Sequence, residues 1–178
     1  GGTIVSGSGD NTVRVWDAES GELRHNLEGH LGSVNAVAIS RDGGTIVSGS
    51  GDNTVRVWDA KSGELRHNLE GRTSWVSTLA ISGDGSTIVL GDENTVIVWD
   101  AESGELRHNL EGHTNWVSAL AISRDGGMII SSTYDNRVRV WDAESGELRH
   151  NLDGHTLGPE YAVAISRDGG TIVSGSGD

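Results

Sequence analysis

The sequence predicts an all-β fold built from four-stranded antiparallel meanders, and three observations carry that expectation. A spacing of about 42 residues recurs, with Trp16, Trp58, Trp99 and Trp141 each preceding an aspartate (Asp17, Asp59, Asp100, Asp142); a fixed period of this size belongs to stacked or radial repeats. Each repeat holds short β-branched, alternating runs separated by Gly, Asn and Asp, the pattern of strands joined by tight turns. Apolar residues nowhere follow the 3.6-residue period of an amphipathic helix.

The elements follow in order through the unit 34–69. "VNAVAIS" (34–40) is an apolar, alanine-rich first strand, and "GTIVSGS" (44–50) is a β-branched second strand. "TVRVWD" (54–59) is an alternating third strand, and "GELRHNL" (63–69) is a polar outer strand. The turns between them, "RDGG" (41–44), "GDN" (51–53) and "SG" (62–63), supply residues that tolerate positive φ.

Composition fits a folded, turn-rich protein: the 178 residues are 34% hydrophobic, and 27 glycines bring the apolar share close to that of globular domains. The absence of cysteine excludes disulfides and thiolate metal sites. A formal net charge of -13 opposes sequence-independent binding to nucleic acid, which rests on lysine and arginine displacing counterions. No apolar run reaches the roughly 18 residues of a membrane span. The N-terminus shows neither a basic signal-peptide start nor an initiating methionine. A soluble, excised or processed segment without a membrane partner is expected, cytoplasmic if natural.

"GH" at 29–30, "SGSGD" at 48–52 and "VWD" at 57–59, recurring with the 42-residue period, resemble the WD-repeat β-propeller family over essentially the whole chain. The resemblance implies four-stranded blades, four per chain. It also implies a hydrogen-bonded tetrad in each blade: His30, Ser50, Asp52 and Trp58 in one, His113, Thr133, Asp135 and Trp141 in another, and His155, Ser8, Asp10 and Trp16 in a third. A buried indole N–H and hydroxyl need partners, and an aspartate that accepts from histidine fixes its tautomer. The remaining unit departs from the pattern. Arg72 stands in place of the histidine, "VLGDEN" (89–94) is one residue short, Gly91 replaces the serine and Glu93 falls at the turn aspartate. An Arg72–Glu93 ion pair is the expected substitute.

"GGTIVSGSGD" occurs at 1–10 and again at 169–178. The chain starts with the second strand of a blade and ends on a first strand and another second strand. A seam blade shared between 1–28 and 155–178 is therefore expected, with one copy of the duplicated strand bound in it and the other frayed, paired elsewhere or swapped. Family geometry implies that four blades form a half ring, completed as an eight-bladed propeller by a homodimer.

Ser, His and Asp in every intact unit superficially suggest a nucleophile, base and orienter, but their repetition indicates architecture. His25, His67, His108 and His150 in "RHNL" are expected to be exposed polar residues of an edge strand rather than metal ligands. The "GSGDN" stretches precede strands, so no helix N-terminus is available for a phosphate and no cofactor is expected. Trp75 and Trp116 replace Ser33 ahead of successive first strands, and the next such segment carries the only proline, Pro159. Tryptophans there suit a protein or peptide partner, whereas packing over their own strands is the blander role. The expected function is a noncatalytic self-assembling scaffold or protein-interaction module. The alternative is an engineered or repeat-derived propeller fragment whose only partner is itself.

Overall fold

The computed structural model describes residues 2–69, 76–153 and 160–177, without the side chains of Ser77, Glu160 and Tyr161. The described residues form strands and turns with no helix, in keeping with the β-branched alternation of the sequence. Strands β1 (Thr3–Gly7), β2 (Val13–Asp17) and β3 (Leu23–Leu27) make a three-stranded sheet. Three complete blades follow. The first contains β4 (Val34–Ile39), β5 (Thr45–Ser50), β6 (Val55–Asp59) and β7 (Leu65–Leu69). The second contains β8 (Val76–Ile81), β9 (Thr87–Asp92), β10 (Thr95–Asp100) and β11 (Leu106–Leu110). The third contains β12 (Val117–Ile122), β13 (Met128–Thr133), β14 (Arg137–Asp142) and β15 (Leu148–Asp153). Strands β16 (Glu160–Ile165) and β17 (Ile172–Ser176) pair in a sheet of two.

All pairings are antiparallel meanders, so the order within each complete blade is the chain order. The inner strands β4, β8, β12 and β16 pack on one another in sequence. Register is shared between blades: Trp16 lies opposite Ile4, Trp58 opposite Ile46, Trp99 opposite Ile88 and Trp141 opposite Ile129. A bulge immediately before each tryptophan shifts the pairing with the outer strand, which increases the local twist.

The core lies between blades rather than within one sheet. Val13, Val15 and Leu27 of the first sheet pack with Ile46 and Trp58 of the next blade. Val47, Val55, Val57 and Leu69 do the same with Ile88, Leu90 and Trp99, as do Val89, Val96, Val98 and Leu110 with Ile129 and Trp141. A single blade would leave both apolar faces in water, so stacking supplies the burial that holds each one together.

Among the described residues the two ends of the chain do not join by strand pairing. β1 pairs only with β2, and β17 pairs elsewhere, with β16. The chain thus holds three complete blades, one blade lacking its inner strand, and an inner pair lacking its outer strands.

Candidate functional site

The polar centre of the β4–β7 blade is built by strand alternation. Ser48 is two residues from Ile46, on the same face and diagonal to Trp58 across the β5–β6 ladder. Trp58 Nε1–H donates to Ser48 Oγ at 2.8 Å, and Ser48 Oγ lies 2.8 Å from His30 Nε2. His30 Nδ1 lies 3.1 Å from Asp52 Oδ2. The carboxylate only accepts, so His30 carries its proton on Nδ1 and Ser48 donates to Nε2. Asp52 also accepts from the backbone N–H of Leu31 and Thr54 and from the Thr54 hydroxyl. These bonds outweigh the effect of its own burial and keep its carboxyl well below the usual range. Burial of His30 outweighs the pull of Asp52 and lowers the imidazole pKa.

The hydroxyl in this network is Ser48, not Ser50. Ser50 points along the same face one step further toward the hairpin, where its Oγ donates to Gly32 O at 2.8 Å and accepts from Asp52 N. The same correction applies elsewhere. Trp141 Nε1–H donates to Ser131 Oγ at 2.8 Å, while Thr133 bonds to Asp135. Trp16 donates to Ser6 Oγ at 3.0 Å, while Ser8 accepts from Asp10 N. A period of two places both hydroxyls on the tryptophan's face, and only the register shows which is diagonal to the indole.

In the β12–β15 blade, His113 Nε2 lies 2.6 Å from Ser131 Oγ, but Nδ1 contacts Arg139 rather than Asp135. Arg139 also reaches Asp135 at 3.3 Å and is buried. Because a guanidinium only donates, Nδ1 accepts and Nε2 carries the proton, the opposite tautomer from His30. Burial, and then the Arg139 charge, lower the His113 pKa to about 4. The equivalent Arg56 instead places its guanidinium 5.8 Å from the centre of the Trp58 ring.

The β8–β11 blade has no such network. Leu90, fully buried, occupies the position diagonal to Trp99 that Ser48 occupies beside Trp58. Gly91 aligns with Gly49, so the residue replacing the network serine is Leu90. The missing residue shortens the hairpin to Glu93 and Asn94, with Glu93 at φ 43°. Arg72, and with it the expected Arg72–Glu93 pair, lies outside the described residues. So do Trp75, His155 and Pro159.

Ser48 and Ser131 are both fully buried and each accepts an indole N–H. In these two blades the Ser–His–Asp arrangement therefore offers no exposed nucleophile, the first requirement of acyl transfer. No cluster of metal-ligating residues occurs among the described residues. The outer-strand histidines are not plain edge residues: His25 Nε2 lies 3.0 Å from Lys61 O, His67 Nε2 2.8 Å from Glu102 O and His108 Nε2 2.8 Å from Glu144 O. Each links its blade to the next. No local motif marks this role, because the partner is a backbone carbonyl in the following repeat. Trp116 is 44% exposed, and its carbonyl accepts from Tyr134 N at 3.4 Å, which brings a second exposed aromatic residue beside it.

The model of the WD domain, G-beta repeat, matches residues 1–17, 21–59, 63–100, 104–142 and 146–178. The chain belongs to the WD40 family. Single repeats are similar to segments of larger proteins. One 41-residue stretch is 61% identical to small ribosomal subunit protein RACK1y of Oryza sativa subsp. japonica, covering 23% of this chain and 12% of that protein. A 40-residue stretch is 50% identical to ribosome assembly protein 4 of Chaetomium thermophilum, covering 22% of this chain and 8% of the relative. Another of 40 residues is 48% identical to dynein assembly factor with WD repeat domains 1 of Mus musculus, covering 22% and 10%.

Proposed function

We propose that this chain is a noncatalytic WD40 scaffold whose copies complete one another, two chains closing an eight-bladed ring. The observation that carries the reading is a contact made three times inside the chain and left half-made at each end. His25, His67 and His108 reach the next blade's turn, where Gly63, Gly104 and Gly146 are so close that a Cβ would lie 3.1, 3.0 and 2.9 Å from the ring Nδ1. The corresponding histidine of the last complete blade, His150, is exposed, and the corresponding glycine of the first sheet, Gly21, has nothing within 4 Å.

The apolar neighbours repeat the pattern. Leu27, Leu69 and Leu110 are 4%, 4% and 2% exposed, but Leu152 is 40% exposed. Ile46, Ile88 and Ile129 are fully buried, but Ile4 is 54% exposed. The uncovered end of one chain thus presents the surface that the other end presents the complement to. Docking them places His150 on Glu19 and Gly21 of a second copy and lets β16 pair with β1 in place of β17, which carries the same residues, completing the shared seam blade. Such a head-to-tail contact closes when the rotation per blade sums to a full turn.

Light scattering coupled to size exclusion tests this reading. A mass of two chains across a wide concentration range is expected, and His150→Ala together with Leu152→Asp shifts it toward one chain. A stable mass of one chain for the unaltered protein overturns it. For a further protein or peptide partner, Trp116 beside Tyr134 supplies the exposed aromatic anchor. Trp116→Ala is then expected to leave mass and melting temperature unchanged while abolishing partner capture; a lowered melting temperature instead assigns the indole to packing.

A further inference from the structure

At the end of the blades opposite Trp116, the turns that follow the inner strands carry Arg41, Arg124 and Arg167, with Gly83 at the equivalent place in the β8–β9 turn. These turns are tied together across blades: Arg41 N donates to Gly83 O at 3.3 Å, and Gly83 N donates to Arg124 O at 3.1 Å. Gly83 is required for this approach, since a Cβ there would lie 2.8 Å from Arg124 O. Arg41, Arg124 and Arg167 all line one cavity of about 490 Å³. Ile39, Ile81, Ile122 and Ile165, from four inner strands, line a smaller adjoining space.

Most other arginines of this acidic chain are matched to carboxylate: Arg14, Arg24, Arg66, Arg107, Arg137, Arg139 and Arg149 make ion pairs, while Arg56 lies against the Trp58 ring. Among the described residues, Arg41, Arg124 and Arg167 have no carboxylate within ion-pair distance. Asp84, Asp125 and Asp168 also line the cavity, but their Oδ1 atoms accept from Ser82, Ser123 and Ser166 and from the backbone N–H of Ser86, Gly127 and Gly170. Arg149, on the wall, is held by Asp142. The charges of Arg124 and Arg167 destabilise the proton on Arg41 and lower its pKa, as like charges do when gathered together.

We propose that this cavity binds a compact oxyanion with two or more negative charges, of the pyrophosphate type, gripped by Arg41, Arg124 and Arg167 from three of four successive turns, Gly83 standing in the other. Guanidinium forks match phosphoryl oxygens in pairs, and a multivalent anion relieves repulsion that the protein's own carboxylates leave in place. The site lies at the opposite end of the blades from the aromatic pair of Trp116 and Tyr134.

Calorimetric titration with sodium pyrophosphate, at ionic strength held constant with sodium chloride, tests the assignment. Saturable binding is expected, weakened about tenfold or more in both Arg41→Ala and Arg124→Ala, the loss of one charge-assisted contact. Arg14→Ala, outside the cavity, is expected to bind as the unaltered chain does. These arginines are exposed, and unchanged melting curves verify that the variants fold. Absence of saturable heat in the unaltered chain, or an affinity in both cavity variants equal to that of the unaltered chain, overturns the proposal.

Discussion

The β4–β7 and β12–β15 blades seat a histidine, a serine and a tryptophan in the same register, yet wire them in opposite senses. In the first, Thr54 stands beside Asp52, its hydroxyl 3.2 Å from His30 Nδ1, and the carboxylate reaches the imidazole directly. In the second, the corresponding residue is Arg137, which turns out to Asp153 at 3.3 Å. Arg139 takes the space between Asp135 and His113. The serine hydroxyl accommodates both senses because it is donor and acceptor at once. The β8–β11 blade extends the comparison, since Leu90 removes the hydroxyl altogether and the tryptophan keeps its place opposite Ile88. The apolar seat is common to all three blades, and the polar wiring is variable.

The largest effect is expected where that common seat is emptied. Trp58→Ala and Trp99→Ala should each cost about 3–5 kcal/mol in chemical denaturation. Near-equal losses would place the stabilisation in the seat, whereas a much smaller loss at Trp99 would return it to the network. Next, Ser48→Ala leaves the Trp58 indole N–H without its acceptor and His30 Nε2 without its donor, and should cost about 1–3 kcal/mol.

Acid should then distinguish the histidine blades from the β8–β11 blade. Both folded histidines are held below the ordinary 6.5, His113 at about 4. On acidification the unfolded chain therefore takes up protons first. Their contribution to stability is full above about 6.5 and is lost as the pH falls from there toward about 4. The carboxylates contribute their own losses only below that window, because Asp52 and Asp135 are both lowered from 3.8. Melting temperature is expected to fall between these pH values, and His113→Leu to flatten part of the slope. An unchanged slope in that variant would place the acid sensitivity elsewhere.

The smallest effect should come from rewiring. Arg137→Thr restores the residue that accompanies Asp52, and is expected to change stability by less than about 1 kcal/mol. It should nevertheless raise the His113 pKa in an NMR titration, as Asp135 replaces Arg139 at Nδ1. No upward shift would mean that Arg137 does not decide the wiring.

Much of this architecture is legible in the chain. The period of the tryptophan-aspartate pairs, the alternation of strands such as "TVRVWD" and the turn residues led to the blades and their order. Asn11, Asn53 and Asn136, at φ 69°, 66° and 63°, occupy the left-handed positions that the turn chemistry required. The network serine was misread because Ser48 and Ser50 satisfy the same alternation and differ only in which lies diagonal to Trp58. His150 is exposed on its outer strand as the sequence suggests, but the inter-blade role of His25, His67 and His108 is illegible for a related reason: their partners are carbonyls about a repeat away, and a carbonyl leaves no trace in residue type.

The sequence by itself therefore determined the repeat, the strands, the turns and the residues available for burial, because these depend on local preference and on periods of two within a strand. Only the tertiary structure decided which hydroxyl meets the indole, which tautomer each of His30 and His113 adopts, that three arginines line one cavity, and that among the described residues His150 is exposed and Gly21 has nothing within 4 Å. Each of these depends on distances between residues far apart in the chain, set by register and by how closely one blade packs on the next.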